Sequence, residues 1–168
     1  LRKAGMMDFD KDGWLDFPDS STETGYYCIV ELTVTVHADS REKRLVANEM
    51  ASFLNGIGLK TKVNELPWDK YEEAVKGGSC DIYLAEVRVP ANFDFADILS
   101  SGGRLNYGGI DSDELDDLID EFRSAAGEDK RSAAGRLALS VRDNAYIVPI
   151  LYRQFAIHSQ RNTIYGLI

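Results

Sequence analysis

The segment Asp8-Phe9-Asp10-Lys11-Asp12-Gly13-Trp14-Leu15-Asp16 sets oxygen ligands at a spacing that can wrap a hard cation. Carboxylates alternate through its first half, Gly13 permits a sharp turn and Leu15 is apolar, as at the opening of a calcium-binding EF-hand loop. The position where such a loop carries a bidentate Glu holds Asp19, preceded by Pro18, and no amphipathic helix of useful length flanks it. The segment therefore reads first as an Asp/Gly-rich surface turn and only second as a calcium site, and no metal is assigned to it. His37, Asp39 and Ser40 place a base, an acid and a hydroxyl side by side, but adjacency along the chain makes no triad, and a strand-end His beside a capping Asp reads as structural. Glu86 and Arg88 are two apart, so on a strand they share a face. With Asn92, Phe93, Asn106 and Tyr107 nearby they could hold a zwitterionic or peptide-like ligand, or simply neutralise a strand end. Cys28 and Cys80 are far apart and only His37 and His158 could join them, so a zinc site is not supported; they form one disulfide or are two thiols. The chain has no Gly-x-Ser-x-Gly, no Walker loop and no Gly-x-Gly-x-x-Gly after a strand.

These groups must be positioned by elements that the periodicity predicts. Ile29 to Val36 is β-branched and partly alternating, a strand. After Asp39-Ser40, a helix start, Val46, Met50, Phe53, Leu54 and Ile57 make one apolar stripe, closed by Gly56 and Gly58. Leu59 to Leu66 alternates as a half-exposed strand. Pro67 opens a short helix with Trp68, Tyr71, Ala74 and Val75, stopped by Gly77-Gly78, and Asp81 to Val87 is a third strand. This β-α-β-α-β order with short helical crossovers requires parallel pairing. A long irregular stretch from Arg88 to Asp111 follows, then helices at 113–126 and 128–143 and a last core strand at 147–152, where Pro149 suggests an edge or bulge. The fold class is α/β, a mostly parallel sheet with flanking helices. Residues 1–28 read as a connecting segment and 29–168 as the α/β unit. A receiver domain shares the order of elements but needs acidic residues at strand ends where this chain has Val36-His37-Ala38 and Glu86-Val87.

The 168 residues carry 19 Lys and Arg against 28 Asp and Glu, a net charge of −9 that disfavours nucleic acid as a partner. Acids crowd residues 111–129, where Arg123 is the one cation, and Lys130, Arg131, Arg136, Arg142, Arg153 and Arg161 follow. An acidic helix followed by a basic one reads as two solvated faces that complement each other. No apolar run is long enough for a membrane-spanning helix. The chain opens Leu1-Arg2-Lys3 without Met or a leader, which reads as a processed protein or a piece of a longer one.

The order of the pieces carries a resemblance. Asp10-Lys11-Asp12-Gly13, the strand Leu32 to Val36, the run Asn48 to Lys60, Trp68-Asp69-Lys70-Tyr71 and Gly78 to Ile82 come first. Ser101-Gly102-Gly103, Asn106-Tyr107-Gly108, Asp113 to Ile119, Ile147 to Tyr152 and Tyr165-Gly166-Leu167 follow in turn. In this order they resemble the C-terminal lobe of the family 5 extracellular solute-binding proteins, the oligopeptide, dipeptide and nickel binders of ABC importers, over nearly the whole chain.

The resemblance implies one lobe of a two-lobed periplasmic-binding-protein-like fold, with the N-terminal lobe outside this chain. It implies a monomeric binding component and not an enzyme, with no cofactor. Such a protein captures a peptide or similar small solute outside the cytoplasmic membrane, in the periplasm or lipid-anchored, and hands it to ABC permease subunits. Carried over by residue, it assigns Glu86, Val87, Arg88 and Val89 to the ligand cleft, with Tyr152 and Gln154. Peptide binders often run Gly-Trp-x-x-Asp after the third strand, the Asp meeting the peptide's amino group. This chain has Glu86-Val87-Arg88-Val89-Pro90 instead, which puts an ordinary peptide in doubt and lets Arg88 favour a carboxylate. The alternative is a stand-alone α/β enzyme or regulatory domain using His37, Asp39 and Glu86. An exported setting would allow a Cys28–Cys80 bridge, if the two lie at the starts of neighbouring strands.

Overall fold

The computed structural model describes residues 1–18 and 27–152. It divides into two compact units, Leu1–Ser112 and Asp113–Ile168, of which residues 113–152 of the second are described. In the first unit, β1 (Asp16–Pro18) pairs antiparallel with β2 (Tyr27–Ile29), Phe17 opposite Cys28. The segment read as connecting thus contributes a strand. It is also tied to the rest of its unit: Leu15 N–H donates to Gly58 O at 2.7 Å and Val30 N–H to Leu15 O at 3.0 Å. That second bond takes Val30 out of the ladders, so the β-branched run expected as one strand from Ile29 is divided there.

Beyond the break, β3 (Glu31–His37) forms the centre of a parallel sheet in the order β4-β3-β5, joined through α1 (Arg41–Gly56), β4 (Lys60–Leu66), α2 (Trp68–Lys76) and β5 (Ile82–Tyr83). Val34, Thr35 and Val36 are all buried although successive side chains point to opposite faces, so both faces of β3 are covered. Val34, Val36, Ala47 and Leu84 form the core, with Val46, Met50, Val63 and Ile82 against it. Each full Val burial contributes about 1.5–3 kcal/mol. Ser40 caps α1, its Oγ accepting from Lys43 N–H at 3.4 Å. Gly58, at φ +89°, makes the left-handed turn into β4, with Leu59 N–H returning to Leu54 O at 2.9 Å.

Two expected strands differ. The third keeps only Ile82 and Tyr83 in the ladder, with Leu84 N–H still reaching Thr35 O at 3.1 Å. Its partner β3 ends at His37, and the charged, exposed residues Glu86 and Arg88 precede Pro90, which has no N–H to give. Residues 147–152 form no strand at all. Their unit offers no strand among its described residues to pair with, and Val148, Ile150, Leu151 and Tyr152 are exposed. The second unit is instead a helical pair, α4 (Asp113–Ser124) and α5 (Gly127–Asn144), after the single turn α3 (Ala96–Leu99) of the first. Leu115, Ile119 and Phe122 of α4 are buried, as are Ala133 and Leu137 of α5. The acidic and basic helices complement each other as expected: Arg136 pairs with Glu121, and Lys130 Nζ sits 3.8 Å from the centre of the Phe122 ring. No helix among the described residues is long and apolar enough to cross a membrane.

Candidate functional site

In open α/β sheets ligands gather beyond the carboxyl ends of the strands. Here β3 ends on His37, in register with Leu66 at the end of β4, so Pro67 and Trp68 follow directly beside it. Pro67 starts α2, and Trp68 in the first turn falls outside the stripe by which Tyr71 and Val75 enter the core. Trp68 is consequently 57% exposed. The His37 ring stands edge-on to it, centroids 5.2 Å apart at 81°, and Tyr71 lies at 5.9 Å and 33° from Trp68. The first pair is T-shaped, a geometry that aromatic rings prefer, and the second is tilted.

Tyr71 anchors the cluster from below. Its hydroxyl donates to Leu84 O at 2.8 Å, joining α2 to the chain just past β5. Burial pushes its phenol up to about 12, with Tyr83 and Cys80 adding to the effect. Burial likewise raises Tyr83. Both phenols are therefore neutral donors at physiological pH.

The charged groups at this edge are paired differently from the sequence expectation. Glu86 is past the strand and meets Lys43 of α1 at 3.6 Å, so the strand face it was expected to share with Arg88 does not form. Val87 and Arg88 are exposed and Val89 is half-buried. His37 Nε2 lies 3.5 Å from Asp39 Oδ2, within ion-pair range, yet it is buried without a hydrogen bond. Ser40 spends its hydroxyl on capping α1. His37, Asp39 and Ser40 therefore meet as a strand end and a helix cap, which is their structural reading.

The structure thus brings His37, Asp39, Lys43, Trp68 and Tyr71 to one edge, with Glu86 joined through Lys43. Tyr152 is 79% exposed in the second unit, and Gln154 lies outside the described residues. Lys43, Trp68 and Tyr71 were not expected as site residues; the available signal was Pro67-Trp68, an aromatic directly after a strand and in the first turn of a helix. The edge offers an indole surface bordered by both signs of charge, suited to holding a solute by stacking and hydrogen bonds. Two hollows lie elsewhere, one beside Arg131 and one beside Met7. Asp39, Trp68, Glu86 and Arg88 are all exposed at the strand ends, which present an open face. A metal ion could be held elsewhere in this unit, where Asp8, Asp10 and Asp16 bring carboxylate oxygens together. Both cysteines are free thiols: Cys28 belongs to β2, in a different sheet from the β3–β5 pair that Cys80 precedes.

No family model matches the sequence, and no curated protein does. Solved structures match in fold. The oligopeptide-binding protein AppA of Bacillus subtilis, in complex with a nonapeptide, superposes over 87% of this chain and 29% of its own, with TM-score 0.74 and 19% identity. The periplasmic oligopeptide-binding protein of an ABC transporter from Thermotoga maritima gives 0.73 and 19% over 87% and 28%. The periplasmic binding protein MelB of Agrobacterium fabrum, in complex with stachyose, gives 0.71 and 20% over 87% and 24%. The chain spans under a third of the length of each, and its fold is that of a part of each of these three proteins.

Proposed function

We propose that this chain is a ligand-contacting part of a family 5 solute-binding protein that captures a peptide or similar small solute outside the cytoplasmic membrane and delivers it to an ABC permease. The observation that carries this reading is the fold match over 87% of the chain to a protein in complex with a nonapeptide. The open aromatic edge at the strand ends supports it. Trp68 supplies a flat apolar face, His37 and Tyr71 hold that face in place, and the Lys43–Glu86 pair at 3.6 Å offers both a donor and an acceptor at the border. Glu86, Val87, Arg88 and Val89 belong to this ligand surface in the proposal, and Tyr152 and Gln154 are proposed as ligand-binding residues of the second unit. Arg88, exposed after β5, is the group for a ligand carboxylate.

The test is calorimetry on the full-length protein that contains this chain, titrated with peptide pools, with oligosaccharides and nickel as comparison ligands. Peptide binding is expected, and Trp68→Ala should weaken it roughly tenfold, the order of one lost aromatic stack. Binding of oligosaccharide alone would reassign the ligand class. Hydrolysis of a model substrate without stable binding of any of these would overturn the proposal.

A further inference from the structure

We infer that the loop from Asp8 to Asp16 is a binding site for a divalent cation of the calcium class, a function separate from solute capture. The loop's own backbone orients its four carboxylates. Gly13 N–H donates to Asp8 Oδ2 at 3.1 Å, Asp12 N–H to Asp10 Oδ1 at 3.1 Å, Trp14 N–H to Asp12 Oδ1 at 2.8 Å and Phe9 N–H to Asp16 Oδ2 at 3.0 Å. Each carboxylate thus commits one oxygen to the loop and keeps the other. Ligand oxygens of Asp8, Asp10 and Asp16 lie within 4.8 Å of one another, a spread that one ion with bonds of about 2.4 Å can bridge.

Two further observations, independent of the turn geometry, call for a cation. Asp16 is only 2% exposed, yet the single hydrogen bond to its carboxylate comes from Phe9 N–H, and no cationic side chain among the described residues pairs with it. Asp8 Oδ1 is buried with no hydrogen-bond partner. A buried carboxylate oxygen without a donor, beside a second buried carboxylate, is costly unless a positive charge joins them. A surface turn has no need to bury either one. An all-carboxylate set on an irregular loop suits calcium, which tolerates irregular oxygen shells, better than magnesium, which demands near-octahedral geometry and keeps its waters. Because Met7 and Asp16 exchange backbone hydrogen bonds and Leu15 reaches Gly58, the ion would fasten the N-terminal segment to the start of β4.

Trp14, inside the loop, provides the optical probe. Terbium added to the protein should give Trp-sensitised emission that calcium displaces and equal magnesium does not. Calcium should raise the unfolding temperature by several degrees, and chelation should reverse the shift. Asp8→Asn and the exposed Asp10→Asn should each weaken calcium binding at least tenfold, with Asp10→Asn retaining the wild-type circular dichroism spectrum. No terbium emission and no calcium-dependent thermal shift would overturn the site. Emission undiminished in both variants would also overturn it, assigning the ion to diffuse acidic surface such as α4.

Discussion

Removing one oxygen atom, in Tyr71→Phe, separates two effects that the fold has combined. The Tyr71 hydroxyl is buried on α2 and donates to Leu84 O at 2.8 Å, so its loss should cost about 1–2 kcal/mol at neutral pH. The same phenol is held at about 12 by burial, above an ordinary value of 10.0. In this pH range the unfolded chain loses that proton first and the native state keeps it, so stability falls as pH rises above the unfolded value. The wild type should therefore lose about 1.4 kcal/mol from this group by roughly pH 11, a loss Tyr71→Phe cannot show. The raised Tyr83 pushes in the same direction but is common to both proteins and cancels. Urea unfolding followed by far-ultraviolet circular dichroism, at neutral pH and near pH 11, measures both. The variant's deficit at neutral pH should shrink to near zero in alkali. Parallel stability curves for the two proteins across that range would refute the argument, because the hydroxyl would then not be buried in the native state.

Leu115→Ala, at a fully buried position on α4, should destabilise the helical unit by about 3 kcal/mol, read as a lower urea midpoint with an unchanged slope. Asn106→Ala removes a side chain that donates to Ser100 O and Ile110 O and accepts from Ile110 N–H, at 3.0, 2.7 and 2.9 Å. It should cost about 2 kcal/mol and speed hydrogen exchange within residues 100–110, while the sheet amides stay protected.

What was legible from the residues was local. The β-branched run from Leu32 to Val36, the stripe Val46-Met50-Phe53, and the breakers Gly56, Gly58, Pro67 and Gly77 mark β3, α1, β4 and α2 to within a residue or two, because periodicity and backbone restriction act over a few positions. Parallel pairing followed, since the crossovers are too long for hairpins. Pairing partners were not legible. How far Asp81 to Val87 continues as a strand depends on its partner: with Val34 opposite Ile82, β3 ends at His37 opposite Ala85 and offers no backbone beside Glu86 and Val87. Ile147 to Tyr152 has strand composition, yet composition supplies no neighbouring edge.

The site divides the same way. By itself the sequence offered the β-α-β-α-β order, whose strand ends are the usual place for a ligand, and the spacing of Asp8, Asp10, Asp12 and Asp16. Only the tertiary structure decided which groups meet. Lys43, forty-three residues before Glu86 in the chain, takes that carboxylate because α1 starts where β3 ends. Trp68 stays exposed because the first turn of α2 turns a different stripe to the core. Asp16 and one oxygen of Asp8 are buried because backbone bonds to Met7 and Gly58 fold the loop against its neighbours. Burial is a property of the surroundings, and those are assembled from residues far apart in sequence. That is why Asp8, Asp10 and Asp16 read as part of a turn along the chain and as the proposed cation site in three dimensions.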